Sequence, residues 1–359
     1  MMPGPRWGYG SGLARLILYL TGFVFLLVGV PALIVLGQWW SAPKEPSGFT
    51  IRLLREDLGQ VVEMDIEDYL VGVVAAEMPA DFHLEALKAQ AVAARTYALY
   101  RLAENKAVPG SEADLSTDFR IGQAWMSAEA QRERWGWLRY FQKRRRIVTS
   151  VRETRGQVLT YQGKPIYAAY HSTSGGQTQP AADYFNPVPY LLGVPSPGEE
   201  ASPYYQTTHS LGWPEIAARL GVELPAELSQ FLGELPGVGL DELSVYEPNG
   251  AGESSGEPEE SLDLSSFFRI TELYPTGRVK QVEALGHFFT GRQIREKLGL
   301  RSNWFTAEAA AAGVAFTIKG YGHGVGMSQY GAQGMALAGS SYRDILLHYY
   351  TGVQLEDWY

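Results

Sequence analysis

The sequence predicts an α+β fold, a single mixed domain of paired helices, β-hairpins and glycine-rich loops behind one N-terminal membrane-spanning helix. Three observations carry that expectation. Leu16 to Leu36 runs 21 residues without a charge, close to the roughly 20 that cross a bilayer as a helix. Asp65 to Tyr100 shows helical periodicity in two stretches, and hairpin signals with glycine at the turn lie on either side of it.

Taken in order, Arg6 and Arg15 precede the apolar run and Trp39 and Trp40 follow it. Positive-inside bias and an interfacial aromatic belt then make 1–15 a cytoplasmic tail, 16–36 the anchor, 37–48 a Pro-bearing linker and 49–359 an exported domain. A cleaved signal peptide fits less well, because the apolar core is long and only QWWSAP follows it. Phe49 to Val62 reads as a strand pair turned near Leu58-Gly59. Two helices follow over about 65–102, broken at Pro79, the first started by Asp65 and Asp68 in a shortened capping box. Gly156 to Ala169 reads as a hairpin turning at Gln162-Gly163 and leads into a polar loop, Tyr170 to Thr178. Val245 to Glu260, rich in Gly, Ser, Glu and Pro, reads as a mobile insertion.

Composition excludes several classes. With 45% hydrophobic residues over 359 positions the chain buries a full core and is not disordered. The absence of Cys removes disulfides, thiolate zinc sites and a thiol nucleophile together. Setting aside Arg6 and Arg15, the only charges in the first 40 residues, leaves 28 basic against 39 acidic side chains, a net of −11 that argues against nucleic acid as a partner. Gln131 to Arg146, QRERWGWLRYFQKRRR, is the local exception. Its plain reading is an amphipathic helix with Trp135, Trp137, Tyr140 and Phe141 in the core and the cations in water; the other reading is a membrane-adsorbing or glycan-stacking surface.

Chemistry enters at Glu77. Ile66, Tyr69, Leu70, Val73 and Val74 mark one buried helical face, and Glu77 is the next position on it. Desolvation and the negative end of the helix dipole both disfavour its ionised form, as a general acid near neutral pH requires. Lys88 and Arg95, seven residues apart on one face of the second helix, are placed to stabilise its charge instead. From this stretch alone, a catalytic acid and a buried ion pair pinning two helices are equally good readings.

Two loops add to it. YHSTSGGQT, Tyr170 to Thr178, packs His171, Ser172, Ser174 and two glycines together, and GYGHGVGMSQYGAQGMALAG, Gly320 to Gly339, repeats that composition around His323. Small residues beside polar side chains suit close approach of a ligand or of backbone. Neither loop is a Walker motif, and neither carries H-E-x-x-H.

EDYLVGVVAAEMPADFHLEALKAQAVAARTYAL, YHSTSGGQT with the following PYLLGVPSP, and GYGHGVGMSQYGAQGMA running into SYRDILLHYYTGV resemble the SpoIID/LytB family across nearly all of 49–359. The resemblance implies a lytic transglycosylase that cuts peptidoglycan glycan strands stripped of stem peptides during engulfment, with a sporulation amidase, protein P, and a membrane protein, M, as partners. It implies Glu77 as catalytic acid and Arg95 and His171 as active-site residues. On that basis Lys88 and Arg95 are expected to tune Glu77, while His171, Ser172 and Ser174 bind sugar and His323, Ser328 and Gln329 line the opposite wall. Some members are thought to hold zinc through His and Cys near this loop; here His171 persists without any Cys, so neither a structural metal nor a cofactor is expected. The same resemblance extends to amidase enhancers, which leaves a non-catalytic glycan-binding scaffold as the alternative.

Overall fold

The first element is an α-helix, α1 (Gly10–Val24), which widens into a π-helical segment over Phe25–Gly29. This computed structural model describes residues 10–31, 47–104, 107–234 and 262–359. They fall into two units, 1–46 and 47–359. In the first, Leu16, Ile17, Leu18, Phe23, Phe25 and Leu26 are all exposed. No helix among the described residues is long and apolar enough to cross a membrane. The π-helical segment divides the expected span, and its last residues, 32–36, lie outside the described ones. So do most of the expected linker and all of the expected insertion at 245–260.

The second unit is a mixed α+β assembly of helices and small sheets with two hydrophobic cores. Strands β1 (Thr50–Arg55) and β2 (Gln60–Asp65) form the expected hairpin, Thr50 facing Asp65 and Arg55 facing Gln60, with Gly59 at positive φ. β3 (Leu115–Ser116) adds to β1 in parallel. Asp65 then caps α2 (Ile66–Glu77) by accepting the Glu67 N–H at 2.8 Å. α2 ends before Pro79, and α3 (Leu84–Ala103) starts behind the His83 cap.

α3 is the centre of the first core. Its Ala86, Ala89, Ala91, Ala93, Ala94 and Ala98 are all fully buried, and such small side chains let α2 and α4 (Ala128–Glu153) pack closely against it and against each other. β4 (Gln157–Tyr161) is fastened to α3 where Thr96 Oγ1 accepts the Leu159 N–H at 2.9 Å. The predicted turn at Gln162-Gly163, φ 53° and 72°, returns the chain through the short β5 (Lys164–Pro165), and β14 (Gln354–Asp357) pairs β4 on its other edge.

Between the two polar loops lies a second core that the sequence reading did not separate. It comprises β7 (Gln206–Gly212), α5 (Trp213–Leu220), α6 (Ala226–Glu234), β8 (Phe268–Leu273), β9 (Val279–Ala284), β10 (His287–Thr290), α7 (Gly291–Leu298), β11 (Phe305–Ala310) and β12 (Gly313–Lys319). Its sheets run β10-β9-β8 and β11-β12-β7, all antiparallel, around buried Trp213, Phe268, Ile294 and Phe316. The chain leaves the first core after one loop and re-enters it at the other.

Candidate active site

Both loops meet through a two-stranded parallel ladder. β6 (Tyr170–His171) pairs β13 (Met327–Ser328), Tyr170 beside Met327 and His171 beside Ser328. Bridges from Thr173 to Tyr321 and from Gln179 to Val325 extend the contact. Glycine is needed here: at Gly326, φ +73°, a Cβ would strike the Ala169 carbonyl. Ser328 then caps α8 (Gln329–Leu337) by accepting the Gly331 N–H at 3.2 Å, so Gln329 is the first residue of that helix.

Glu77, the last residue of α2, is half-buried beneath this ladder. Its carboxylate accepts the Ala124 N–H at 2.9 Å, the Gln329 amide at 3.5 Å, and the Tyr170 hydroxyl. Burial pushes its pKa from the ordinary 4.5 up to about 7, against the pull of those three donors. Among the described residues no cation pairs with it. Tyr170 is itself held in a chain: Tyr69 donates to Gln123 Oε1 at 3.1 Å, and Gln123 Nε2 donates to the Tyr170 oxygen at 2.7 Å. Burial first, and the Glu77 charge second, lift the Tyr170 pKa well above 10, so its phenol stays protonated and able to donate.

The cations expected at Glu77 are placed elsewhere. Arg95, fully buried, grips Glu67 with Nε at 2.7 Å and Nη2 at 2.8 Å, and donates to the Val151 and Gln157 carbonyls. Lys88 bonds Glu85 at 2.8 Å and Glu153 at 2.9 Å. The seven-residue spacing does put both on α3, but acidic residues from α2, α4 and α3 itself reach them first. That competition removes the stabilisation of the Glu77 charge expected from them.

Two of the three serines expected at the groove, Ser174 as a sugar contact and Ser328 on the opposite wall, are also committed within the fold. Glu199, fully buried, accepts from Ser174 N and Oγ at 2.9 and 2.8 Å, Gly176 N at 2.8 Å, Ser196 Oγ at 2.9 Å, and Ser328 Oγ. Ser174 and Ser328 therefore join the two loops instead of facing a groove. Arg278, immediately before β9, balances the Glu199 charge and donates to the Ser174 and Gln177 carbonyls at 2.8 and 2.9 Å. Ser172 remains half-buried.

The histidines share the backbone of one residue, Val325. His171 Nδ1 lies 3.1 Å from the Val325 carbonyl, which fixes it as the N–H side of the ring, and Val325 N–H donates to His323 Nδ1 at 3.1 Å. Burial first, then Arg278, pulls the His171 pKa down to about 3. Burial and His171 likewise draw His323 well below its ordinary value. Both rings are neutral at neutral pH. His171 Nε2 is a buried acceptor without a partner among the described residues, and the ring centroids are 5.5 Å apart. Among the described residues no cluster of three or more His, Asp or Glu is arranged to hold a metal.

Gln123, Ala124, Tyr170 and Glu199 were not singled out in the sequence as site residues. Gln123 and Ala124 lie in irregular chain after β3, and nothing in their spacing marks them.

A glutamic acid of raised pKa thus ends α2 beside residues from both glycine-rich loops. The family profile described as Stage II sporulation protein, SpoIID, matches residues 55–161, and on full-length similarity as well the chain belongs to the SpoIID family of sporulation proteins. Stage II sporulation protein D of Bacillus amyloliquefaciens is 34% identical over 95% of this chain and 96% of its own length. The protein of that name from Bacillus subtilis (strain 168) is 35% identical over 87% of this chain and 80% of its own. A Bacillus subtilis protein named Amidase enhancer is 27% identical over 80% of this chain and 40% of its own length.

Proposed function

We propose that this protein is a membrane-anchored lytic transglycosylase that cleaves peptide-free peptidoglycan strands to 1,6-anhydromuramyl ends during engulfment, with Glu77 as its acid and base. The observation that carries the reading is a single half-buried carboxyl whose pKa burial brings to about 7. Half its population then holds a proton near neutral pH, and the remainder can take one. As the glycosidic C1–O bond of N-acetylmuramic acid breaks, Glu77 gives its proton to the leaving oxygen. The C6 hydroxyl of the same sugar bonds to C1, and its proton goes to Glu77. Because no water is consumed, the second carboxylate of hydrolytic glycosidases is not required. Tyr170, Gln329 and the Ala124 N–H orient the carboxyl. Ser172, His171 and His323 supply polar contacts for sugar hydroxyl or acetamido groups.

The exposed apolar side chains of α1, Leu16 through Val24, support 16–36 as the anchor, with the N-terminus cytoplasmic and residues 49–359 outside. The amidase P and membrane protein M of sporulation are the proposed partners. Similarity to a protein named Amidase enhancer favours a second reading, a glycan-binding scaffold that stimulates an amidase. Wild type and Glu77→Gln, incubated with peptide-free strands, separate the two by mass spectrometry. The reading expects anhydromuramyl ends from wild type alone. Equal product from both, or none from either, overturns it, and strand binding without cleavage by wild type favours the scaffold.

A further inference from the structure

The basic and aromatic segment of α4 is not built as its sequence suggests. α4 breaks at Gly136, whose φ of 71° and ψ of 157° lie outside the helical range. The break leaves Tyr140 buried and turns its neighbours outward: Trp137 is 69% exposed, Leu138 87% and Phe141 38%. Trp137 and Phe141 pack edge to face at 4.8 Å, so the apolar group is preformed on the surface. Trp137 and Phe141 thus depart from the expectation that the aromatics lie in the core, whereas Tyr140 is buried and Trp135 packs against the first core.

Cations surround that group. Residues 131–146 hold seven basic side chains and one acidic, a net of +6 in a chain of net −9. Two fix the helix to the protein, Lys143 bonding Asp81 at 2.6 Å and Arg146 bonding the Ala80 and Phe82 carbonyls at 2.9 and 2.6 Å, while Arg144 bonds Gln131 of α4 itself at 2.9 Å. Arg132, Arg134, Arg139 and Arg145 are exposed beside the apolar group. Trp137, Phe141 and Arg145 share one helical stripe.

We propose that this surface seats the domain on an anionic lipid bilayer, with Trp137, Leu138 and Phe141 entering the boundary between headgroups and acyl chains. Charge and shape favour lipid over glycan. A Leu side chain 87% exposed has nothing to offer sugar hydroxyls, whereas Trp, Leu and Phe rimmed by Arg is the composition of an interfacial helix. The remaining surface is acidic and is repelled by anionic lipid, so attraction confined to this patch also fixes orientation. The proposal is independent of the reaction proposed above; it shares only the anchor.

The chain contains no Cys, so Leu138→Cys gives a unique labelling site for an environment-sensitive fluorophore. Phe288→Cys, at a position 62% exposed in the second core, is the control. Full-length protein is reconstituted into nanodiscs of phosphatidylcholine with or without phosphatidylglycerol, and the label is challenged with lipid-borne quenchers. Quenching at position 138 in anionic discs, absent at 288 and weakened at least about tenfold by Arg134→Glu with Arg139→Glu or by high salt, is the expected result. Equal quenching at both positions, no difference between the two lipids, or a response at 138 to soluble peptide-free glycan alone overturns it. Recovery of the chain in phosphatidylcholine discs reports separately on the anchor.

Discussion

Replacing Arg95 with Ala tests whether that residue acts on Glu77 or on the fold. In the structure Arg95 is wholly buried, holds Glu67 in a two-pronged ion pair at 2.7 and 2.8 Å, and satisfies the carbonyls of Val151 and Gln157. Glu67 is 16% exposed and, among the described residues, otherwise accepts the Tyr359 hydroxyl at 2.5 Å. Truncation leaves a nearly buried carboxylate without its cation and two carbonyls without donors, a loss of about 3–5 kcal/mol. Thermal unfolding should then fall by about 4–8 °C. Strand cleavage per folded molecule should stay near wild type. The pair Arg95→Met with Glu67→Leu, which removes both charges at similar volume, should recover most of the lost stability. Unfolding is followed by circular dichroism, and cleavage is normalised to the folded fraction. An Arg95→Ala protein that keeps its melting temperature but loses cleavage would refute the reasoning and return Arg95 to the active site.

Glu77→Gln should stabilise the protein in a pH-dependent way. With the folded pKa raised from 4.5 to about 7, the wild type is unpenalised below pH 4.5 and loses stability as pH rises to 7. The variant should match it at pH 4 and exceed it by about 3 kcal/mol at pH 8 in urea titrations. Glu199→Ala should cost about 3–5 kcal/mol, because it leaves Arg278 unbalanced and removes the acceptor of five donor groups, and proteolysis should first cut the loops around Ser174 and Ser328. Gly72→Ala should cost about 1–3 kcal/mol and lower cleavage, since its methyl would collide with the Trp125 indole and push the Ala124 N–H off Glu77; unaltered cleavage would deny that this segment holds the acid.

What the sequence made legible was local. Asp65 caps a helix through its own neighbours, Pro79 ends one, and Gln162-Gly163 turns a hairpin, each within a few residues. Glu77 was legible for the same reason, as the next position on a stripe whose other members are fully buried. Partners from distant segments were not legible. Lys88 and Arg95 were correctly put on one helix, yet their choice of Glu67, Glu85 and Glu153 over Glu77 depends on how α2 and α4 pack. Glu199 looks like a surface acid in PSPGEE until five donors from three segments surround it. The exposure of Trp137 and Leu138 turned on one positive φ at Gly136, which an Arg- and Trp-rich helical window conceals. The second core went unseparated because its short strands pair only with one another, across a segment whose ends belong to the first core.

The central claim is that burial makes Glu77 an acid near neutral pH. Carbon-13 labelling of glutamate side chains, with Glu77→Gln used to assign the resonance, allows the Glu77 carboxyl to be titrated directly in the folded protein. The account predicts a midpoint of about 7; a midpoint in the ordinary range, near about 4.3, would contradict it.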